Sequence, residues 1–157
     1  MQSDVVTGME LVKEDAVNSF RDLIGPTNSQ DAKRDAPYSL RAMFGADAMR
    51  NGIHGSAAGT DYSNEANLFF SKSFAPTAAF NNNTCCIIKP HVLQEGNAGK
   101  VIDMILQEGF EISSMQMFSL DKPTAEEFFE IYKGVLPEFV GMIEQMTVGP
   151  CIVLEVR

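Results

Sequence analysis

The sequence predicts an α+β fold with a mainly antiparallel sheet. Two observations carry that reading, both from residues 84–157. Three short apolar runs, TCCIIKP, FEISSMQMFSL and GPCIVLEV, read as strands. Between them lie amphipathic segments with helix start and stop signals, in the order β-α-β-α-α-β.

The first run is continuous, apolar and closed by Pro90, which suits a buried strand. In VLQEGNAGKVIDMILQEG, Val101, Ile102, Ile105 and Leu106 recur at helical spacing, and Gly109 is a C-terminal stop. FEISSMQMFSL alternates loosely but reads as a second strand. In DKPTAEEFFEIYKG, Pro123 and Thr124 sit at a helix start, with Thr124 and Glu127 spaced as a capping box. PEFVGMIEQM predicts a further short helix. Met104, Met115, Met117, Met142 and Met146 read as core filler. His91 reads as a solvated loop residue, and Glu126–Glu127 as a solvated helix face near its N-terminus.

Upstream lies an irregular stretch rich in Ser, Ala, Asn and Pro, and residues 71–83 read as a linker. It separates a piece at 1–70 from a piece at 84–157. The first piece opens with the strand-like VVTGMELV, followed by a helix EDAVNSFRDLIG stopped at Gly25–Pro26. Polar turns lead to a short helical SLRAMFG, then to MRNGIHGS, and then to an amphipathic NEANLFF. Met9-Glu10-Leu11-Val12 resembles Leu154-Glu155-Val156-Arg157 at an offset of 145 residues. On that match the chain would be one period of a tandem repeat cut inside a strand, a reading that four residues do not carry by themselves.

The chain has 157 residues, 45% of them hydrophobic and 21% charged, which is globular and not disordered. Its net charge of −9 is spread evenly: residues 1–70 hold 6 basic and 10 acidic side chains, the remainder 6 and 11. With no Lys/Arg cluster, neither nucleic acid nor an anionic membrane is an expected partner. A few placed arginines can still hold a nucleotide. No apolar run approaches the roughly 18 residues of a membrane span, and MQSDVVTGMELV, with no basic and then apolar stretch, is not expected to act as a secretory signal. Cys85, Cys86 and Cys151 are an odd number and read as reduced core thiols of a cytosolic compartment; no Cys/His spacing suggests a metal site.

The segment Arg41–Glu65 carries the chemistry. His54 lies between Asn51 and Gly55–Ser56, with Arg41 and Arg50 nearby. Glycine allows close approach of a ligand, and arginine offers forked donors to phosphate oxygens. A neutral imidazole is a nucleophile toward phosphorus when its other nitrogen is held, and Glu65 could hold it. The alternative is a glycine turn at a strand end with solvated arginines.

RNGIHGS resembles the active-site signature of nucleoside diphosphate kinases, Asn-x-x-His-Gly-Ser, in which the histidine is phosphorylated. FRDLIGPTN and SLRAMF are similar to the family's phosphate-binding segments. The resemblance implies that Arg21, Thr27 and Arg41 contact phosphate, with about three extra residues ahead of Arg41. It implies that Asn51 contacts sugar and phosphate, that Gly55 lines the nucleotide site, and that Glu65 orients the histidine. TCCIIKPHVLQEGNAGKVIDMILQEGFEI is similar to the family's first strand and helix, so that Lys89 matches a phosphate-contacting Lys, and Tyr132 resembles the active-site Tyr.

The expected fold is then the ferredoxin-like fold of nucleoside diphosphate kinases, an antiparallel sheet covered by helices, present as two partial domains. Residues 1–70 match the C-terminal half of one domain and residues 84–157 the N-terminal half of the next. The implied substrates are ATP and other nucleoside tri- and diphosphates, with Mg²⁺ accompanying the nucleotide. Wording around CCIIKPH, GFEISSMQMF and EFFEIYKGV resembles the family's ciliary two-domain branch. That branch implies tubulin and other axonemal doublet proteins as partners, with the γ-tubulin ring complex as a further one. It implies a place in the cytoplasm and cytoskeleton, at the axoneme and centrosome, as a microtubule inner protein. Two departures stand out. Ala57 replaces the usual Asp after His-Gly-Ser, and Leu136-Pro137-Glu138-Phe139 stands where the family has Arg-Pro-Phe-Phe. Base–aromatic stacking is commonly worth ~1–3 kcal/mol, so Glu138 weakens nucleotide binding there.

Overall fold

A computed structural model describes residues 5–57 and 59–157. They form two units, Met1–Phe74 and Ala75–Arg157.

In the first unit, α1 (Ala16–Ile24) buries Ile24 and stops at Gly25, whose φ of 76° suits glycine. The expected polar turn after it is a helix instead, α2 (Ser29–Asp35). The segment SQDAKRD shows no apolar stripe, so periodicity misses it. Asn28 caps it by accepting from Gln30 N, and it buries only Ser29 and Ala32. The short α3 (Leu40–Phe44) is capped by Ser39 and buries Arg41 and Ala42. Residues 45–57 form an irregular loop, and α4 (Gly59–Phe70) follows.

The strand expected at VVTGMELV is not formed: residues 5–12 pair with no ladder among the described residues. A strand exists only when its backbone groups find a partner. This segment is exposed and lies near α4: Gly8 faces the Phe69 ring, and the Tyr62 hydroxyl donates to Glu10. The resemblance to residues 154–157 is therefore one of sequence and not of pairing.

The second unit holds the α+β architecture. Strands β1 (Thr84–Ile88), β2 (Ile112–Phe118) and β3 (Cys151–Val156) form an antiparallel sheet in the order β1-β3-β2. The register places Leu154 opposite Cys86 on one side and Met115 on the other. Helices α5 (Pro90–Gln94) and α6 (Ala98–Gln107) replace the single expected segment. They are separated at Gly96, whose φ is 71°. His91 thus lies in a helix and not a loop, though it is exposed. After β2 come α7 (Lys122–Phe128), a 3₁₀ turn at Glu130–Tyr132, and α8 (Phe139–Thr147). The cap of α7 is Asp121, which accepts from Thr124 N at 3.0 Å, and not the expected Thr124. A bond from the Thr124 side chain, and then this one from its backbone, hold the Asp121 carboxyl below its usual range.

Helices cover both sheet faces. Val101, Ile102 and Ile105 of α6 pack against Ile88, Leu154 and Val156. On the other face, Ala125 of α7 and Ile143 and Met146 of α8 enclose Cys151. Not every methionine fills the core as expected. Met146 is buried and Met142 packs beside it, whereas Met104, Met115 and Met117 are exposed. Met115 and Met117 lie in the half of β2 that is exposed from Met115 to Phe118. Of the expected core thiols, Cys151 is buried, Cys86 half-buried and Cys85 exposed, and all three are free. Burial pushes the Cys151 thiol up.

A bulge between Ile112 and Ser114 leaves Ser113 unpaired in the ladder. Its hydroxyl donates to Glu155 Oε1 at 2.6 Å, and its carbonyl accepts from Thr77 Oγ1 at 2.6 Å. Ala79 N and Phe80 N donate to the two Glu155 oxygens. These donors hold the Glu155 carboxyl down at about 2, and tie residues 77–80 to the sheet.

Candidate active site

The first unit gathers most of the candidate residues. His54 lies in the irregular loop after α3 and is exposed. Its Nε2 is 2.9 Å from Glu65 Oε1, a residue supplied by α4. The other oxygen, Oε2, accepts from Ser56 Oγ at 2.6 Å. The Ser56 hydroxyl and then the His54 ring keep the Glu65 carboxyl below its ordinary range, so it is an acceptor at neutral pH. A carboxylate at Nε2 selects the tautomer with its proton there. The lone pair then sits on Nδ1, to which no hydrogen bond runs among the described residues.

Three ties position this loop. The Arg41 guanidinium, only 7% exposed, donates through Nε to Ile53 O at 3.1 Å and through Nη1 to Gly25 O at 2.8 Å. Asn51 Nδ2 donates to Thr27 O at 3.2 Å. Buried Ser29 donates to Asp47 O at 3.0 Å and so anchors the loop on α2. The turn itself is closed by Asp47, which accepts from Met49 N and Arg50 N and pairs with the Arg50 guanidinium at 2.7 Å. Arg50 is the main cause holding the Asp47 carboxyl at about 2.

Beside the loop, a cleft of about 550 Å³ is lined by Arg21, Asp22, Thr27, Arg41, Gly55 and Ala57, among others. Arg21 Nη1 reaches Ala57 O at 3.4 Å, a weak bond that leaves the exposed guanidinium available to a ligand. At Gly55 an added Cβ would stand 3.0 Å from Ile24 Cδ1 and from the Phe20 ring. Glycine thus lets the histidine loop approach α1. With two cations, a threonine and a glycine-rich wall, the cleft suits an anionic, phosphate-bearing ligand.

Arg21, Thr27, Arg41, Asn51, Gly55, His54 and Glu65 are thus brought together in one unit. Lys89 and Tyr132 belong to the other. Lys89 is the exposed residue before Pro90 at the start of α5, and Tyr132 closes the 3₁₀ turn with its ring 6.3 Å from that of Phe129. No hydrogen bond joins Lys89 to Tyr132 among the described residues. The sequence reading did not single out Ser56 as a site residue, although it ends the His-Gly-Ser signature. A hydroxyl two residues from a histidine is the signal that could have found it. The backbone roles of Arg41 and Asn51 had no sequence signal.

The sequence pattern of the family described as nucleoside diphosphate kinase matches residues 1–74 and 82–157. The chain is 44% identical over 159 residues to nucleoside diphosphate kinase homolog 7 of Rattus norvegicus, covering 99% of this chain and 40% of that relative. It is 34% identical over 155 residues to thioredoxin domain-containing protein 6 of Xenopus laevis, covering 98% of this chain and 23% of that protein. It thus spans less than half the length of these curated relatives. Among solved structures, it is similar to the orthorhombic C222 crystal form of the Aquifex aeolicus nucleoside diphosphate kinase. The TM-score is 0.45 at 32% identity, with 47% of this chain and 52% of that chain covered.

Proposed function

The chain belongs to the nucleoside diphosphate kinase family, and from that premise we propose that its first unit bears the histidine half of a phosphotransferase site. We propose further that residues 1–70 are the C-terminal half of one kinase domain, 71–83 a linker, and 84–157 the N-terminal half of the next. Two separate matches to one family pattern support that division.

The observation that carries the reaction is the His54–Glu65 pair at 2.9 Å, with Nδ1 left as the nucleophile. A nucleoside triphosphate enters the cleft, and Arg21 and Thr27 take phosphate oxygens, with Asn51 toward the sugar. Arg41 has donors left beyond its two backbone bonds. The Nδ1 lone pair forms a bond to the γ-phosphorus in line as the bond to the β,γ-bridging oxygen breaks. The nucleoside diphosphate leaves with that electron pair. The Nε2 proton stays on the ring, and the Glu65 carboxylate offsets the positive charge that develops there. A second diphosphate attacks the phosphohistidine by the reverse path. Positioning and charge neutralisation do most of the work in such a transfer.

Mg²⁺ bound with the nucleotide would neutralise phosphate charge. The cleft suits an ion carried in this way: Asp22 on its wall offers one carboxylate, and phosphates and water complete such a set.

We place the protein at ciliary axonemes, cytoskeleton and centrosome, as a microtubule inner protein contacting tubulin and the γ-tubulin ring complex. Its support is the likeness to the ciliary two-domain branch. Leu136 and Glu138 favour a building-block role for the second unit. Imaging of a tagged protein tests it: signal along axonemes supports the placement, and diffuse signal with none there overturns it.

The chemistry is tested by incubating the full two-domain protein, which supplies both halves of the first domain, with γ-labelled ATP and Mg²⁺. Acid-labile, base-stable label is expected, and it should vanish in His54→Gln. Label retained in that variant would sink the assignment. No label on the unaltered two-domain protein would leave a structural protein with a vestigial kinase site.

A further inference from the structure

We infer that Arg41 is the residue that positions His54 for reaction, by stapling the histidine loop to the turn after α1. The inference deepens the phosphotransferase reading and rests on it. Its basis is the way two segments meet. Residues 25–27 follow α1, and residues 51–54 end at the nucleophile. No backbone–backbone hydrogen bond joins them among the described residues. They are joined by side chains: Arg41 bonds Gly25 O at 2.8 Å and Ile53 O at 3.1 Å, and Asn51 bonds Thr27 O at 3.2 Å.

Arg41 is suited to this by chemistry and by place. A guanidinium directs Nε–H and Nη1–H in fixed, different directions, so one planar group can reach two carbonyls. The stem is held in α3, between buried Ser39 and Ala42. Among the described residues no carboxylate pairs with the guanidinium, so its two protein partners are backbone oxygens. Ile53 directly precedes His54. Fixing its carbonyl fixes where the imidazole starts, hence whether Nε2 meets Glu65 and where Nδ1 points. Gly25 stands two residues before Thr27, so the same group sets nucleophile and phosphate contact relative to one another. A lysine keeps the charge but is a compact donor on a flexible stem, and cannot reproduce the fork.

Arg41→Lys in the full chain separates this role from phosphate binding. The His54 ring is read by ¹⁵N NMR, GDP–Mg²⁺ affinity by titration, and phosphohistidine formation from γ-labelled ATP by its rate. The wild-type ring should show the Nε2–H tautomer, and the variant ring should average the two. The rate should fall by about 10²-fold, and by more than any fall in affinity, as misplaced reacting groups do. An unchanged ring signature in the variant would overturn the inference, whatever happens to affinity. If the unaltered chain forms no phosphohistidine, the kinase reading fails, but the ring signature still decides the positioning. Backbone ¹⁵N relaxation on the unaltered chain covers a variant that does not fold. Residues 53–55 should be as rigid as α3, with order parameters near 0.85, and values below about 0.6 would refute the staple.

Discussion

The two units hold themselves together by different means. In the second, a backbone ladder runs through β1, β3 and β2, and helices close both faces over Leu154, Cys151 and Met146. In the first, the described residues form helices and a loop, and the loop is placed by Arg41, Asn51, Ser29 and the Glu65 pair. A ladder needs only backbone groups and an alternating pattern, so many side chains can satisfy it. A loop held by side-chain forks needs those particular side chains. The candidate chemistry lies where side-chain identity matters most.

The comparison can be broken at the sheet first. Leu154→Ala removes a fully buried side chain between two strands. It should cost about 3 kcal/mol, as cavity-forming Leu→Ala changes do. Urea unfolding followed by exchange of the β1 and β3 amides reads it. A loss under ~1 kcal/mol would mean that the sheet is not the stabilising centre.

The next effect is on chemistry. Glu65→Gln keeps the shape but removes the charge that faces the imidazole. Phosphohistidine formation should slow by roughly 10²-fold with stability little changed, as when one preorganised electrostatic contact is lost. Because the folded Glu65 carboxyl is lowered, its stabilising contribution is full above the ordinary carboxylate pKa. It is lost as pH falls through the lowered folded value. Ser56→Ala should raise the pH of that loss, because the hydroxyl is the larger cause. Titration of the Glu65 carboxyl by ¹³C NMR checks this, and an unmoved midpoint would show that Ser56 is not coupled to it.

Smaller still is the cap of α2. Asn28→Ala removes the acceptor for Gln30 N and should cost about 1 kcal/mol. Thermal melting measures it.

The gentlest test concerns Glu155, held at about 2 by Ser113 and the amides of Ala79 and Phe80. Its contribution is present above the ordinary carboxylate range and declines as pH falls toward 2. Glu155→Gln should speed amide exchange at Ala79 and Phe80 at neutral pH and leave β1 protection in place. Unchanged exchange at those two residues would show that the carboxylate does not hold the strap.

Much of the second unit was legible because its signals are periodic or local. TCCII and CIVLEV are short runs of strand formers, and α6 shows its stripe at Val101, Ile102 and Ile105. The antiparallel sheet and its helices followed. Helix α2 was not legible: a seven-residue polar segment has no stripe, and only Asn28 marks its start. VVTGMELV had a strand's pattern, but pattern supplies no partner. For the site, His54, Gly55 and Glu65 were legible through the His-Gly-Ser signature and its spacing. The resemblance pointed to Arg41 as a phosphate contact, but its bonds to Gly25 and Ile53 were not legible, since carbonyls leave no mark in sequence.

By itself the sequence determined the family, the strand and helix stripes of the second unit and the immediate neighbours of His54. All of these depend on residue identity at short spacing. Tertiary structure alone decided that Met146 is core while Met117 is surface, that Ser113 becomes a bulge, and that a buried arginine clasps two backbone turns. Those outcomes depend on which distant segments meet, and the free energy of meeting belongs to the pair and not to either stretch of chain.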